Sequence, residues 1–325
     1  MSKLKVSFIA ASLVALLAGC TSPATPTLRA YEGLTPACES FKGGSEIDNV
    51  KVTAADKKIP TVDFVTQQPG SSVKSPLSTI KATQTKVIRE GNGPTFTGGE
   101  LAILEYAVFS STTGNLLGSS QFNGTDPAGQ VFDATNSLVY CQALSGVKEG
   151  SLAIFATPAT EEEPEGSLFV IDLKKVYLPH ANGDAQAPES GLPAVVRAPK
   201  TGQPALVQPS FSAPAEFKRA VLIKGKGETV KSGDSVTVHY VGWIWKDSFG
   251  SPFDSSWTSG TPATFNLINP GGVITGFIKA LDGVTVGSQV IASMPPADAY
   301  GAEGNTNIPG NSTLVFVIDV LGINK

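Results

Sequence analysis

Polar and apolar positions alternate from Ser235 to Tyr240, placing Val236, Val238 and Tyr240 on one face and Thr237 and His239 on the other. This is the pattern of a half-buried strand. Two further runs, Ser288 to Met294 and Thr313 to Leu321, are β-rich and bounded by Gly, Pro and Asn; the second sets Leu314, Phe316, Ile318 and Val320 on a common face. Ahead of them the period changes. Ile274, Phe277, Ile278 and Leu281 stand at i, i+3, i+4 and i+7, the stripe of a short amphipathic helix, and Gly283 follows as its stop. These elements predict an α+β unit in which a curved antiparallel β-sheet wraps a short α-helix and leaves a concave, aromatic-lined mouth.

The pattern occurs twice. Gly225-Lys226-Gly227, Gly233-Asp234 and Val238-His239-Tyr240 match Gly91-Asn92-Gly93, Gly99-Glu100 and Leu104-Glu105-Tyr106. Leu281, Gly283, Val284, Gly287 and Ser288 likewise match Leu144, Gly146, Val147, Gly150 and Ser151, and Phe316 to Val320 matches Phe169 to Leu173. Two copies are too few for a solenoid and predict tandem globular units. The expected division is 1–19 as a signal peptide, 20–58 as tether and N-terminal segment, 59–180 and 206–325 as the two units, and 181–205 as an Ala-, Pro- and Gly-rich linker.

Composition narrows the function. Lys and Arg number 24 against 28 Asp and Glu, and no basic cluster follows the first few residues, so nucleic acid is not an expected partner. Lys3, Lys5 and the apolar stretch Val6 to Leu16 form the pattern of a secretory signal, too short for a membrane span. It ends in Leu17-Ala18-Gly19-Cys20, which resembles a bacterial lipobox. That resemblance implies lipidation at Cys20 and a cell-membrane protein anchored through its lipid on the extracytoplasmic face. Cys38 and Cys141 are then the remaining thiols, in a compartment where disulfides persist. They are expected to pair; the alternative is a buried apolar Cys141 and a tail thiol at Cys38.

No metal site, cofactor or nucleophilic constellation is expected. His180 and His239 have no Cys or carboxylate at metal-ligand spacing, and Gly225-Lys226-Gly227 lacks the context of a phosphate loop and is expected to be a hairpin turn. What stands out is an aromatic and apolar set with one acid: Tyr240, Phe253-Asp254-Ser255-Ser256-Trp257, Phe265, Val273-Ile274, Phe277, Ala299-Tyr300-Gly301, Ile308 and Phe316.

The strings VHYVG, FDSSW, VITGF, PPADAYG and STLVFVIDVL, in that order, are similar to FKBP-type peptidyl-prolyl cis-trans isomerases over nearly all of the second copy. The resemblance implies isomerisation of X-Pro bonds in unfolded secreted or envelope polypeptides, with macrolides as further ligands. Asp254, Tyr300 and Phe277 would act on the prolyl bond, with Asp254 at the rim and Phe277 at the floor where the family commonly has Trp. Tyr240, Phe253, Phe265, Val273, Ile274, Ile308 and Phe316 would bind substrate, Ile274 through its backbone N–H. The first copy has Leu117-Gly118-Ser119-Ser120 in place of Phe253-Asp254-Ser255-Ser256 and resembles a degenerate member without the acid. The alternative function is a noncatalytic chaperone or peptide-binding lipoprotein.

Overall fold

A computed structural model describes residues 38–324, except 42–43, 66–74, 126, 136, 199–200, 246–248 and 250. The expected signal segment and Cys20 lie outside the described residues.

The described chain opens with a hairpin of β1 (Val50–Thr53) and β2 (Thr61–Phe64). It continues through β3 (Gln84–Arg89), β4 (Leu101–Ser110), β5 (Leu116–Ser119), β6 (Ala128–Val131), helix α1 (Leu138–Leu144), β7 (Leu152–Thr157) and β8 (Ser167–Val176). These strands form an antiparallel sheet in the order β3-β7-β8-β4-β5, with β6 also paired to β4. Next come β9 (Asp184–Ala185) and a hairpin of β10 (Val195–Arg197) and β11 (Pro204–Leu206). The remainder is β12 (Lys218–Lys224), β13 (Ser235–Ile244), β14 (Asp254–Ser255), helix α2 (Ser256–Ser259), β15 (Ala263–Asn266), helix α3 (Thr275–Leu281), β16 (Gln289–Met294) and β17 (Leu314–Asn324). Their order is β14-β13-β17-β16-β12-β9, with β15 also on β13. The two sheets thus repeat one strand order, and α1 occupies the place of α3. The molecule is a sheet-rich α+β protein with few, short helices.

Alternation explains the second core. Val236, Val238 and Tyr240 of β13 and Leu314, Phe316, Ile318 and Val320 of β17 share one face and bury Phe277, Ala280 and Leu281 of α3. The opposite face carries Val241, Trp243, Ile291, Val315 and Val317 and is apolar as well, so it too needs cover. Most of that cover comes from the expected linker, 181–205, and the rest from Leu206 at the start of the expected second unit. Leu192, Val195 and Leu206 pack on this outer face, and β9 extends the sheet beside β12. The expected boundary at 58/59 falls inside the β1–β2 hairpin. Ile47 and Val50, with Val52, Val62 and Phe64 of the β1–β2 hairpin, pack on Phe109, Ile154 and Val170 of the first sheet, so the hairpin spans the expected boundary.

The two sheets meet where β8 leads out. Leu101, Tyr177 and Leu321 form one small cluster, Leu178 N donates to Leu321 O at 3.2 Å, and the Tyr177 hydroxyl hydrogen-bonds Asn324.

The repeated Gly-x-Gly is not a hairpin turn, because β12 pairs with β16 and β9 rather than with β13. A Cβ on Gly225 would collide with the backbone of Val286 to Ser288, and one on Gly91 with that of Glu149 to Ser151. Gly227 N donates to Val286 O at 3.0 Å, and Gly93 N to Glu149 O at 3.1 Å. The glycines let two chain segments touch, which is why both copies carry them.

Cys38 and Cys141 are joined as a disulfide with Cα atoms 5.7 Å apart. Cys141, on α1, is fully buried, and Ser145 Oγ donates to Cys38 O at 2.5 Å, so the entering chain is tied to the helix twice.

Candidate functional site

β13, β14, β15, β17 and α3 converge on a cavity of about 470 Å³ lined by Tyr240, Phe253, Asp254, Phe265, Val273, Ile274, Phe277, Tyr300 and Phe316, together with Asn269, Gly271, Gly272 and Ala299. Phe277, 4% exposed, is the floor. Its ring meets those of Phe265 at 5.2 Å, Phe316 at 5.6 Å and Tyr240 at 6.3 Å, each edge to face. Such contacts hold aromatic walls upright, so the cavity is preformed. Gly242 of β13 admits this packing, since a Cβ there would strike the rings of both Phe253 and Phe316.

One polar pair marks the mouth. The Tyr240 hydroxyl donates to Asp254 Oδ2 at 2.6 Å. Register brings them together: β14 pairs with β13 so that Asp254 faces Gly242, two residues beyond Tyr240 and on its side of the sheet. Burial first, then the hydrogen bond to Asp254 and the charge of that carboxylate, push the Tyr240 hydroxyl well above the ordinary tyrosine range, so it remains a donor. Burial and the Asp254 charge also raise Tyr300, which is 39% exposed; its hydroxyl has no hydrogen-bond partner among the described residues. Tyr300 is therefore a donor open to an incoming carbonyl. Its loop is tied to α3 by Lys279 Nζ and Asp298 Oδ1 at 2.6 Å.

Ile308 is the exception among the expected cavity residues. Asn305 Oδ1 accepts from Ile308 N at 2.9 Å, and the Ile308 side chain is buried in the core cluster that also holds Tyr240, Phe277 and Phe316. Sequence reasoning did not single out Asn269, Gly271 and Gly272, whose Asn-Pro-Gly-Gly run signals a loop but not a wall. Ser256 also went unmarked for a role of its own. Its hydroxyl accepts from Tyr240 N at 2.8 Å and contacts His239 Nδ1 at 2.9 Å, holding the strand that carries Tyr240.

His239 lies on the opposite face of β13 from Tyr240, buried and stacked on Trp257 at 4.2 Å. Burial, with the charge of His180 adding, drives its pKa down to about 4. It is a neutral packing residue. Among the described residues no group of three or more His, Cys, Asp or Glu is placed to hold a metal ion.

The first sheet lacks this site. Gly118 stands where Asp254 does, Leu117 where Phe253 does, and Gln130 where Phe265 does. Tyr140 replaces Phe277 and Phe155 replaces Ala292. Phe155 stacks on Phe169 at 4.3 Å and fills the space that the small Ala292 leaves open beside Phe316.

Residues 226–321, which hold every element of the cavity, match the family FKBP-type peptidyl-prolyl cis-trans isomerase. A probable FK506-binding protein of Corynebacterium glutamicum is 35% identical over 119 residues, 37% of this chain and 97% of that protein. The chain belongs to the FKBP-type isomerase family. A probable FKBP-type peptidyl-prolyl cis-trans isomerase of Haemophilus influenzae is 31% identical over 224 residues, 66% of this chain and 84% of that protein. FkpA of Escherichia coli K12, an FKBP-type isomerase, is 40% identical over 103 residues, 32% of this chain; the match spans 36% of the length of FkpA.

Proposed function

We propose that the chain isomerises X-Pro peptide bonds in unfolded secreted or envelope polypeptides, through the cavity of its second unit. The observation that carries this reading is the Tyr240–Asp254 pair at the mouth of an aromatic cavity floored by Phe277. Rotating a prolyl bond costs roughly 18–20 kcal/mol because the planar amide loses resonance in the twisted state. No bond is broken, so neither a nucleophile nor a cofactor is needed. Phe265, Phe277 and Phe316 grip the proline ring; Phe253 and Val273 close its sides. The Ile274 N–H and the Tyr300 hydroxyl receive substrate carbonyls. The Asp254 carboxylate, oriented by Tyr240, lies beside the prolyl carbonyl and favours the twisted amide over either planar form. Each roughly 1.4 kcal/mol of that preference gives tenfold in rate. Macrolides of the FK506 type would occupy the same cavity and compete.

The repeated strand order supports reading residues 59–180 as a degenerate FKBP-like unit. The lipobox-like Leu17-Ala18-Gly19-Cys20 is what supports Cys20 as a lipid anchor, which would hold the chain on the extracytoplasmic face of the cell membrane. A protease-coupled assay with X-Pro tetrapeptides tests the activity: turnover that a macrolide abolishes is expected, and a folded chain silent toward every X-Pro peptide would refute it. Mass spectrometry of the mature N-terminus tests the anchor, expecting diacylglycerol on Cys20; an unmodified Cys20 would exclude it.

A further inference from the structure

Tyr300 offers its hydroxyl from a turn whose backbone hydrogen bonds stay within residues 295–311. Asp298 N donates to Pro295 O at 2.9 Å, Gly301 N to Pro296 O at 2.9 Å, Gly304 N to Tyr300 O at 3.1 Å and Asn311 N to Gly301 O at 2.9 Å. These bonds give the turn its shape. They do not set where it lies against the cavity floor, and that placement decides where the hydroxyl meets a substrate carbonyl.

Two residues of α3 supply the placement. Gly276 and Lys279 stand at i and i+3, on one face of the helix. At Gly276 the turn comes close: a Cβ there would lie 2.9 Å from Asp298 O and 2.7 Å from Met294 Sδ. One helical turn on, Lys279 Nζ meets Asp298 Oδ1 at 2.6 Å, and the Asp298 side chain is only 13% exposed. The same ammonium lies 5.6 Å from the centroid of the Phe217 ring, so it is held between a carboxylate and an aromatic face. Helix α3 follows Ile274 and carries the floor residue Phe277. The ion pair therefore joins the turn that bears the Tyr300 hydroxyl to the element that bears the floor and the Ile274 N–H. In the first unit Val139 and Gln142 stand where Gly276 and Lys279 do, and loop 158–166 contains no Tyr. The room, the cation and the hydroxyl are missing there together.

We propose that Lys279 and Asp298 are positioning residues for the cavity: their ion pair latches the Tyr300 turn onto α3, so that the Tyr300 hydroxyl and the Ile274 N–H face one substrate at a fixed spacing. The inference rests on the isomerase reading and adds to it two residues that do not line the cavity. An ion pair with a half-exposed lysine contributes little to stability. It acts on geometry, because a group misplaced by about 1 Å loses much of its effect on a bound substrate.

Exchange NMR on an X-Pro peptide, with kcat and KM read separately, tests the latch in the full chain. Lys279→Met and, as a second variant, Asp298→Asn should each raise KM about threefold and leave kcat within about twofold, since the contact weakened is one made equally before and during rotation. Lys279→Arg, which keeps the cation, should restore most of the parent KM. Tyr300→Phe should raise KM by at least as much, and adding Lys279→Met to it should cost nothing further. Thermal midpoints of the Lys279 and Asp298 variants should stay within about 2 °C of the parent, which separates positioning from a loss of stability. Parent turnover with an unchanged KM in both variants, or a full further loss on adding Lys279→Met to Tyr300→Phe, would overturn the inference and leave the isomerase reading standing. A folded parent chain without turnover would overturn both.

Discussion

The Tyr240 hydroxyl donates to Asp254 Oδ2 at 2.6 Å, across the junction of β13 and β14, so the rim carboxylate is aimed by a residue of the cavity wall. Hydrogen bonds to charged groups contribute roughly 1.5–3 kcal/mol when sheltered, and less here because Asp254 is exposed. Tyr240→Phe should therefore lower kcat/KM about fivefold with little change in KM, and Asp254→Ala about tenfold. If Tyr240 acts through Asp254, the double variant should be no worse than Asp254→Ala alone; additive losses would separate the two roles.

Gly118 stands where Asp254 does, and a Cβ built on it meets nothing within 4 Å. Gly118→Asp should fold normally and remain without activity, because Phe155 still fills the site beneath. The readout is turnover in an Asp254→Ala background, where any recovery would have to come from the first unit. Recovery would show that the missing acid, and not the filled cavity, silences it.

The disulfide closes a loop with a sequence separation of 103 residues. In the chain-entropy account such a loop is worth about 4–5 kcal/mol. Changing Cys38 and Cys141 to Ser should lower the first unit's unfolding midpoint markedly while sparing X-Pro turnover. Unfolding of the two units can be separated by a macrolide, which should protect only the second. Equal midpoints with and without the bond would remove its stabilising role.

Burial holds the His239 pKa at about 4, below the ordinary histidine value of 6.5. The folded state thus keeps His239 neutral, while the unfolded state takes up a proton as pH falls through 6.5. Stability from this residue is complete above pH 6.5 and is lost as pH falls toward 4. Asp319, raised to about 6 by burial, acts in the opposite sense over much of this range, since its folded form takes up the proton first. Comparing His239→Gln with the parent isolates His239. Between pH 7 and pH 4 the variant should gain on the parent by up to about 3 kcal/mol in unfolding free energy; a pH-independent difference would show that His239 does not titrate between the two states.

Much of the cavity was legible in the sequence because its parts carry strong patterns. Alternation fixed the faces of β13 and β17, the i, i+3, i+4, i+7 stripe located α3, and a lone acid among aromatics drew attention to Asp254. The cover over the outer face was not legible, since β10 and β11 are three residues each and show no period. Its one advance sign was the apolar character of Val241, Trp243, Val315 and Val317, residues whose partners lie far off in the chain. The burial of Ile308 was not legible either, because loop position does not reveal which way a side chain turns. The filling of the first unit became visible only through strand register, which pairs Phe155 with Phe169 as it pairs Ala292 with Phe316.

Phe277 touches Phe265, Phe316 and Tyr240 and is the floor on which the proposed activity depends. The most direct measurement is protease-free exchange NMR on an X-Pro peptide, reading the cis-trans rate with the parent chain and with Phe277→Ala. Circular dichroism would confirm that the variant, expected to lose about 3 kcal/mol of stability, is still folded. The parent should accelerate exchange, and the folded variant should lose nearly all of that acceleration along with macrolide binding. Undiminished acceleration by a folded Phe277→Ala chain would place the activity elsewhere and contradict the account.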